Sequence, residues 1–143
     1  GSDHAAGMDL RAMIDEPICL APGDVEMIPS GIKMNLGALA RTMFLPPCYK
    51  MASFVLPRSG RGTKEGINLA CTVGVIDEDY QGEIMIPVYI RPQSDVPLVI
   101  IRPGERIAQL VIHWVLRPEF DIVKEFSFSS VRGENGLGSS GVA

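Results

Sequence analysis

The chain has little of what staples or metallates a small protein. Its cysteines, Cys19, Cys48 and Cys71, number three and show no CxxC spacing. That counts against a disulfide framework and against a cysteine zinc site. The two histidines, His4 and His113, are too few and too far apart for a metal cluster. Reduced thiols in a cytosolic protein are the simplest reading, so a cytoplasmic location is expected. Positive charge is also scarce: the formal net charge is −4 and the pI about 5.1. This speaks against a nucleic-acid-binding surface, while leaving room for a local basic pocket. No apolar run approaches the roughly 20 residues that a membrane span needs. The opening GSDHAAGMDL lacks the charged-then-apolar layout of a secretory leader.

What remains is ordinary globular material. The length of 143 residues suits one domain with a real core, with 46% apolar and 21% charged residues. Helical periodicity is scarce, and strand-like runs recur over Val25–Ile28, Ile32–Leu36, Met51–Leu56, Ile84–Ile90, Leu98–Ile101 and Ile107–Leu116. Turn signals separate them, among them APGD, PRSGRG, RPQSD and RPGE. In EIMIPVYI, Ile84, Ile86, Val88 and Ile90 share one face, and Met85, Pro87 and Tyr89 the other. That strand is expected to be covered on both sides, and Pro87 to mark an edge or an irregular ladder. Short helices fit only over Gly37–Met43 and Pro57–Lys64. The fold expected is all-β, a sandwich or jelly roll. From Ser127 the composition turns to glycine and serine around Arg132, which predicts a domain over 1–126 and a mobile tail over 127–143. Such a tail is a linker, or, with one arginine and unobstructed N–H groups, a phosphate cradle.

The stretch GVIDEDYQG sets three carboxylates, Asp77, Glu78 and Asp79, at the end of an apolar strand, directly before Tyr80. Taken alone it reads as a solvated turn. It is one of five ordered stretches, with AAGMDLRA (5–12), PRSG (57–60), PGERIAQLV (103–111) and RGENGLGSSG (132–141). In this order and spacing they resemble the five motifs of the trimeric deoxyuridine triphosphatases (dUTPases), over nearly the whole chain.

The resemblance implies a distorted jelly-roll or β-clip subunit, a homotrimer with active sites at subunit interfaces, and a C-terminal arm over the triphosphate. The implied reaction is hydrolysis of dUTP to dUMP and pyrophosphate by water attack on the α-phosphorus. It limits uracil incorporation into DNA and supplies dUMP for thymidylate synthesis. Asp77 matches the general base, and Glu78 and Asp79 are left as solvated surface. Tyr80 matches the aromatic that packs on the deoxyribose. Backbone groups at Val75 and Ile76, beside Met85, match the pairing edge for uracil, with Cys71 where some members place an asparagine. Arg58, Ser59 and Gly60 match the group on the α- and β-phosphates, and Gln109 a glutamine near the α-phosphate. Arg132, Leu137, Ser139 and Ser140 belong to the arm over the γ-phosphate and the base. Asp9 matches the aspartate that holds waters of a Mg²⁺ ion seated on the phosphates. Implied partners are therefore dUTP and two further copies of the chain, with no nucleic acid and no membrane. The resemblance suits a bacterial or phage source in the cytoplasm, or a nuclear or organellar enzyme if the source is eukaryotic. Individually, Asp9, Arg58, Arg106 and Gln109 also read as surface or strand-end residues.

Departures are local. Asn135 and Leu137 stand where the last motif usually has a glycine and an aromatic, which implies weaker arm closure and a modest loss of rate. The segment Gly37–Lys50 is longer than the usual connection, and a strand that usually precedes the first motif is absent from this numbering. A bifunctional deaminase–diphosphatase would need an extra acid in IMIPVYI, which has none. A protein that binds the nucleotide as a signal is the other alternative.

Overall fold

The structure is a computed structural model that describes residues 4–43 and 46–134. Among them are nine strands: β1 (Met8–Arg11), β2 (Ile18–Leu20), β3 (Val25–Pro29), β4 (Tyr49–Pro57), β5 (Ile67–Leu69), β6 (Gly74–Asp77), β7 (Met85–Ile90), β8 (Val99–Ile101) and β9 (Arg106–Leu116). Two short helices join them, α1 (Leu36–Thr42) and α2 (Ser59–Lys64). The all-β expectation holds, and both helices fall where short helices fit the sequence.

Three small antiparallel sheets wrap one core: β1-β9-β4-β6, β2-β8 and β3-β7-β5. The alternation read in β7 places Ile86, Val88 and Ile90 at 0% exposure, against Val55, Ile101 and Ile107 from the other sheets. The opposite face of β7, with Met85, Pro87 and Tyr89, is only partly covered within one chain. Turn chemistry acts as expected in APGD: Asp24 accepts the Ala21 N–H at 2.8 Å through its carboxylate, and Gly23 takes φ +96°, a conformation that favours glycine.

Two expectations need correction. Ile32–Leu36 is not a strand: Asn35 accepts the Ala38 N–H at 2.9 Å and caps α1, so the chain turns helical at Leu36. Pro87 is not on an edge, because β7 is the central strand of its sheet. Its carbonyl accepts the Ala70 N–H at 2.8 Å, so its absent donor also faces the β5 side, one residue beyond the last pair, Leu69↔Val88. The ladder thus forfeits only a terminal bond. β1, β2 and β5 carry too few residues for any period to declare them.

One polar side chain is out of place. Ser53 lies at 0% exposure in β4, and its hydroxyl has no partner among the described residues. Ser53→Ala removes that cost and is expected to raise stability by about 1 kcal/mol in urea unfolding.

Candidate active site

The first cluster forms where β4 hands over to α2. Arg58 is still extended (φ −87°, ψ 131°) and caps a helix whose first N–H groups, at Ser59 and Gly60, have no partner within the helix. Its guanidinium turns back to β1, with Nε 2.9 Å from Asp9 Oδ1. Arg106, at the start of β9, reaches the same carboxylate, Nη1 to Oδ2 at 3.3 Å. Gln109 stands opposite Asp9 in the ladder and donates through Nε2 to the Pro57 carbonyl at 3.0 Å. A Cβ at Gly7 would lie 2.7 Å from Gln109 Oε1, so glycine there lets β1 close on the amide. These groups line an open cleft of about 490 Å³ with Arg61 and Lys64, rich in cations. It is the local basic pocket that the acidic whole left room for.

A Cβ at Gly60 would meet no atom of the chain, and its φ is unexceptional, so neither packing nor backbone calls for glycine. Room beside unpaired N–H groups suits a ligand that approaches the backbone.

Arg61 buttresses this cluster from behind. It donates to both oxygens of Glu65, to Glu105 at 2.8 Å and to the Ile100 carbonyl at 3.2 Å, pinning α2 to β8 and to the turn before β9. Burial works against the charge on Arg61, but hydrogen bonds and attraction from Glu65 and Glu105 prevail and raise its pKa. Burial likewise opposes ionisation of Glu105, yet the Arg102 N–H and the Arg61 charge hold its pKa below the ordinary 4.5. A lowered carboxyl contributes stability above the ordinary glutamate pKa and loses it as pH falls through the folded value. Arg61→Ala should therefore cost about 2 kcal/mol at neutral pH by urea unfolding. The gap to the parent should narrow as the medium is acidified below pH 4.5, the ordinary value for Glu105.

The second cluster lies on the connection from β5 to β6, on β6 itself and on the turn after it. Thr72, next to Cys71, holds φ +64°, strained for a β-branched residue, between a Thr72 N–H bond to Leu69 and a Val73 N–H bond to Cys71. β6 is an edge strand; with Met51 and hence Ser53 turned toward it, Ile76 bonds β4 and the backbone groups of Val75 face away. Val75 is 58% exposed, whereas Ile76 packs on the core. Met85 is exposed at the start of β7. Asp77 ends β6 and faces solvent in a second cleft of about 390 Å³, which it shares with Lys50, Glu78, Asp79 and Arg117. Tyr80 closes the turn, its N–H on the Asp77 carbonyl at 3.2 Å and its hydroxyl on the Glu83 carbonyl at 2.9 Å. Its ring lies over Gly82, where any Cβ would strike it.

Within one chain, then, Asp9, Arg58, Ser59, Gly60 and Gln109 share one cleft, and Asp77 lies in another. Arg132 is exposed in the tail, and Leu137, Ser139 and Ser140, like Asn135, lie outside the described residues. Among the described residues regular structure ends at Leu116, and every one from Arg117 on is exposed, Phe120, Ile122, Phe126 and Phe128 among them. The sequence reading passed over Arg61 and Lys64, and had Arg106 as surface charge. A bulge between Leu10 and Arg11 places Arg106 beside Asp9, and nothing in the sequence marks it. Glu78 also departs from the expected solvated turn, since its carboxylate accepts the Met51 N–H at 3.1 Å.

A family model described as dUTPase matches residues 1–141. The chain belongs to the dUTPase family. The deoxyuridine 5'-triphosphate nucleotidohydrolase of Alcanivorax borkumensis is 46% identical over 140 residues, 98% of this chain and 84% of that protein. Among solved structures, the dUTPase of Staphylococcus bacteriophage 80alpha with dUPNHPP superposes with a TM-score of 0.78 at 27% identity, covering 99% of this chain and 89% of that one. A mutant dUTPase of phage phi11 of S. aureus, whose structure shows the coordination of a structural Mg(II) ion, shares the fold at a TM-score of 0.66 and 23% identity, over 89% of this chain and 88% of that one. The three wrapped sheets are thus the jelly-roll-like fold of dUTPases. No helix among the described residues is long and apolar enough to cross a membrane.

Proposed function

We propose that the chain hydrolyses dUTP to dUMP and pyrophosphate, with a site assembled from more than one copy. The observation that carries the reading is the pairing of a cationic cleft, with unpaired N–H groups at Ser59 and Gly60, and a solvent-facing Asp77 beside a positioned Tyr80. The reaction needs both. Asp77 orients a water and takes its proton as the oxygen attacks the α-phosphorus. A bond forms from that oxygen to phosphorus, the bond to the bridging oxygen breaks, and pyrophosphate leaves with the electron pair. Arg58, Arg106 and the Ser59 and Gly60 N–H groups stabilise the charge on the phosphate oxygens, with Gln109 near the α-phosphate.

The outer edge of β6 at Val75 offers fixed donors and acceptors to uracil, with Ile76, Cys71 and Met85 alongside. Cytosine presents a donor where uracil presents an acceptor and is refused. Tyr80, held over Gly82, packs on the deoxyribose, where a 2′-hydroxyl would clash. Arg132, Leu137, Ser139 and Ser140 close over the γ-phosphate and the base as an arm, taken as residues 127–143. Leucine covers a base without stacking on it. Leu137→Phe is therefore expected to raise kcat modestly, about 2- to 5-fold, within the value of one base–aromatic stack. An unchanged kcat removes that role.

Asp9 suits Mg²⁺ of a particular kind. Among the described residues no group of three His, Cys, Asp or Glu side chains could hold a metal. Asp9, with Glu65 of the same cleft engaged by Arg61, fits an ion borne mainly by substrate oxygens and water. When bound, the ion neutralises charge on the phosphates.

Two features support a homotrimer. The two clefts each hold half of the machinery, and the apolar side chains of the tail are exposed in a lone chain. Control of uracil in DNA and supply of dUMP follow from the activity, and cytoplasmic residence suits a bacterial or phage source. The test is pyrophosphate release from dUTP, dTTP, dCTP and UTP with Mg²⁺. Release from dUTP alone is expected. Ammonia from dCTP would favour a deaminating enzyme, and tight dUTP binding without turnover a nucleotide sensor.

A further inference from the structure

We infer that Glu78 is a positioning residue for Asp77, acting as a side-chain rung that replaces the missing end of the β4–β6 ladder; this rests on Asp77 being the base. The register runs Val55↔Gly74, Phe54↔Val75, Ser53↔Ile76 and Ala52↔Asp77, so the next pair would be Met51↔Glu78. β6 ends instead at Asp77, and the main chain peels away into the turn closed by the Tyr80 N–H on the Asp77 carbonyl. Rungs of an antiparallel ladder fall on alternate residues. The Met51 N–H faces Glu78, and loss of the backbone rung would orphan it. Glu78 fills the gap with its carboxylate, Oε2 accepting that N–H at 3.1 Å and Oε1 lying 3.5 Å from Lys50 Nζ. Its own carbonyl, freed from the ladder, accepts the Gly37 N–H at 3.1 Å and so ties the turn to the start of α1.

One residue therefore holds the base from three directions. Its side chain is only 26% exposed, although two neighbouring acids make it look like solvated surface. Asp77 sits between the Ser53↔Ile76 pair and this side-chain rung, and can move in neither direction along β4. The long Gly37–Lys50 segment thereby contacts the residue that follows the base. Lys50 and Glu78 line both the Asp77 cleft and a neighbouring cleft formed by α1, Pro46, Pro47 and Tyr49.

A base displaced by about 1 Å loses up to about 100-fold in rate while substrate contacts elsewhere are kept. The experiment compares Glu78→Ala, Glu78→Gln and Asp77→Asn in steady-state dUTP hydrolysis, with amide hydrogen exchange at Met51. For Glu78→Ala, kcat should fall about 10- to 100-fold with KM within about threefold of the parent, since only placement of the base is lost. Glu78→Gln keeps an acceptor oxygen and should recover to within about threefold of the parent. Exchange at Met51 should be at least about tenfold faster in the alanine variant than in the glutamine variant. A kcat for Glu78→Ala within twofold of the parent overturns the inference. So does glutamine falling as far as alanine, or Met51 exchange unchanged between the two. Should Glu78→Ala fail to fold, kcat and Met51 protection in Glu78→Gln decide alone, and loss of either rejects the rung. Asp77→Asn separates the two levels: full activity there rejects Asp77 as base, whereas an inactive Asp77→Asn beside an unaffected Glu78→Ala rejects only the rung.

Discussion

Replacing Asp77 by asparagine is expected to lower kcat for dUTP by about 10²- to 10⁴-fold, the usual contribution of a positioned general base. Asparagine keeps the size and one acceptor oxygen of aspartate, and loses only the capacity to take a proton from water. Asp77 faces solvent at the end of β6, where its carboxylate supports no packing and is a partner in none of the described ion pairs. The variant should therefore unfold at the urea concentration of the parent and bind a non-hydrolysable dUTP analogue within about threefold of the parent Kd. Pyrophosphate release and analogue titration on the same preparation check both halves. A variant that loses analogue binding along with rate would make Asp77 a binding group instead.

The second large effect belongs to Arg58. Arg58→Ala should lower kcat/KM by about 10²- to 10³-fold, the scale for one donor aimed at charge developing on a transferring phosphoryl group. Arg58→Lys should recover part of this, since an ammonium supplies the charge without the planar fork. The free chain shows why stability will not follow. Arg58, Arg106 and Asp9 form ion pairs at an open cleft, with side-chain exposures of 29%, 46% and 26%. Pairs this accessible contribute at most about 1 kcal/mol. Two arginines share the Asp9 carboxylate in the free chain, and a triphosphate that drew off the guanidinium groups would leave Asp9 open to water carried by Mg²⁺. Asp9→Asn should accordingly raise the Mg²⁺ concentration for half-maximal rate, with the fold intact by urea unfolding.

How far the sequence speaks differs from element to element. β7 was legible because Ile84 just before it and Ile86, Val88 and Ile90 within it alternate, and the core takes every one. The α1 and α2 positions were legible because little else fits GALARTM or PRSGRGTK, and the APGD turn because its aspartate and glycine each have a chemical task there. Three-residue strands such as β2 and β5 have no period of their own, and their partners, β8 and β7, lie tens of residues away. Met34 and Leu36 look like a continuing strand until the Asn35 cap is seen. Pro87 misleads because its cost depends on where β5 stops.

The site shows the same division. Motif order named Asp9, Arg58, Gln109 and Asp77, but not the Asp9 ion pairs, of which the one to Arg106 comes with a register shift between β1 and β9 that skips Ile107. Of the three acids in DEDYQG, the sequence offered no sign that Glu78 turns inward while Asp77 and Asp79 stay exposed. Nor could spacing show that the cationic cleft and Asp77 face different hollows of one chain.

That separation gives the most direct test of the account. Asp77→Asn and Arg58→Ala chains, each inactive alone, are unfolded together, refolded at equal amounts and assayed for pyrophosphate release from dUTP. If each site takes Asp77 from one copy and Arg58 from another, random assortment restores about a quarter of the parent rate in the refolded mixture as a whole. Mixed oligomers, verified by mass, with no more activity than either variant alone would contradict a site shared between copies.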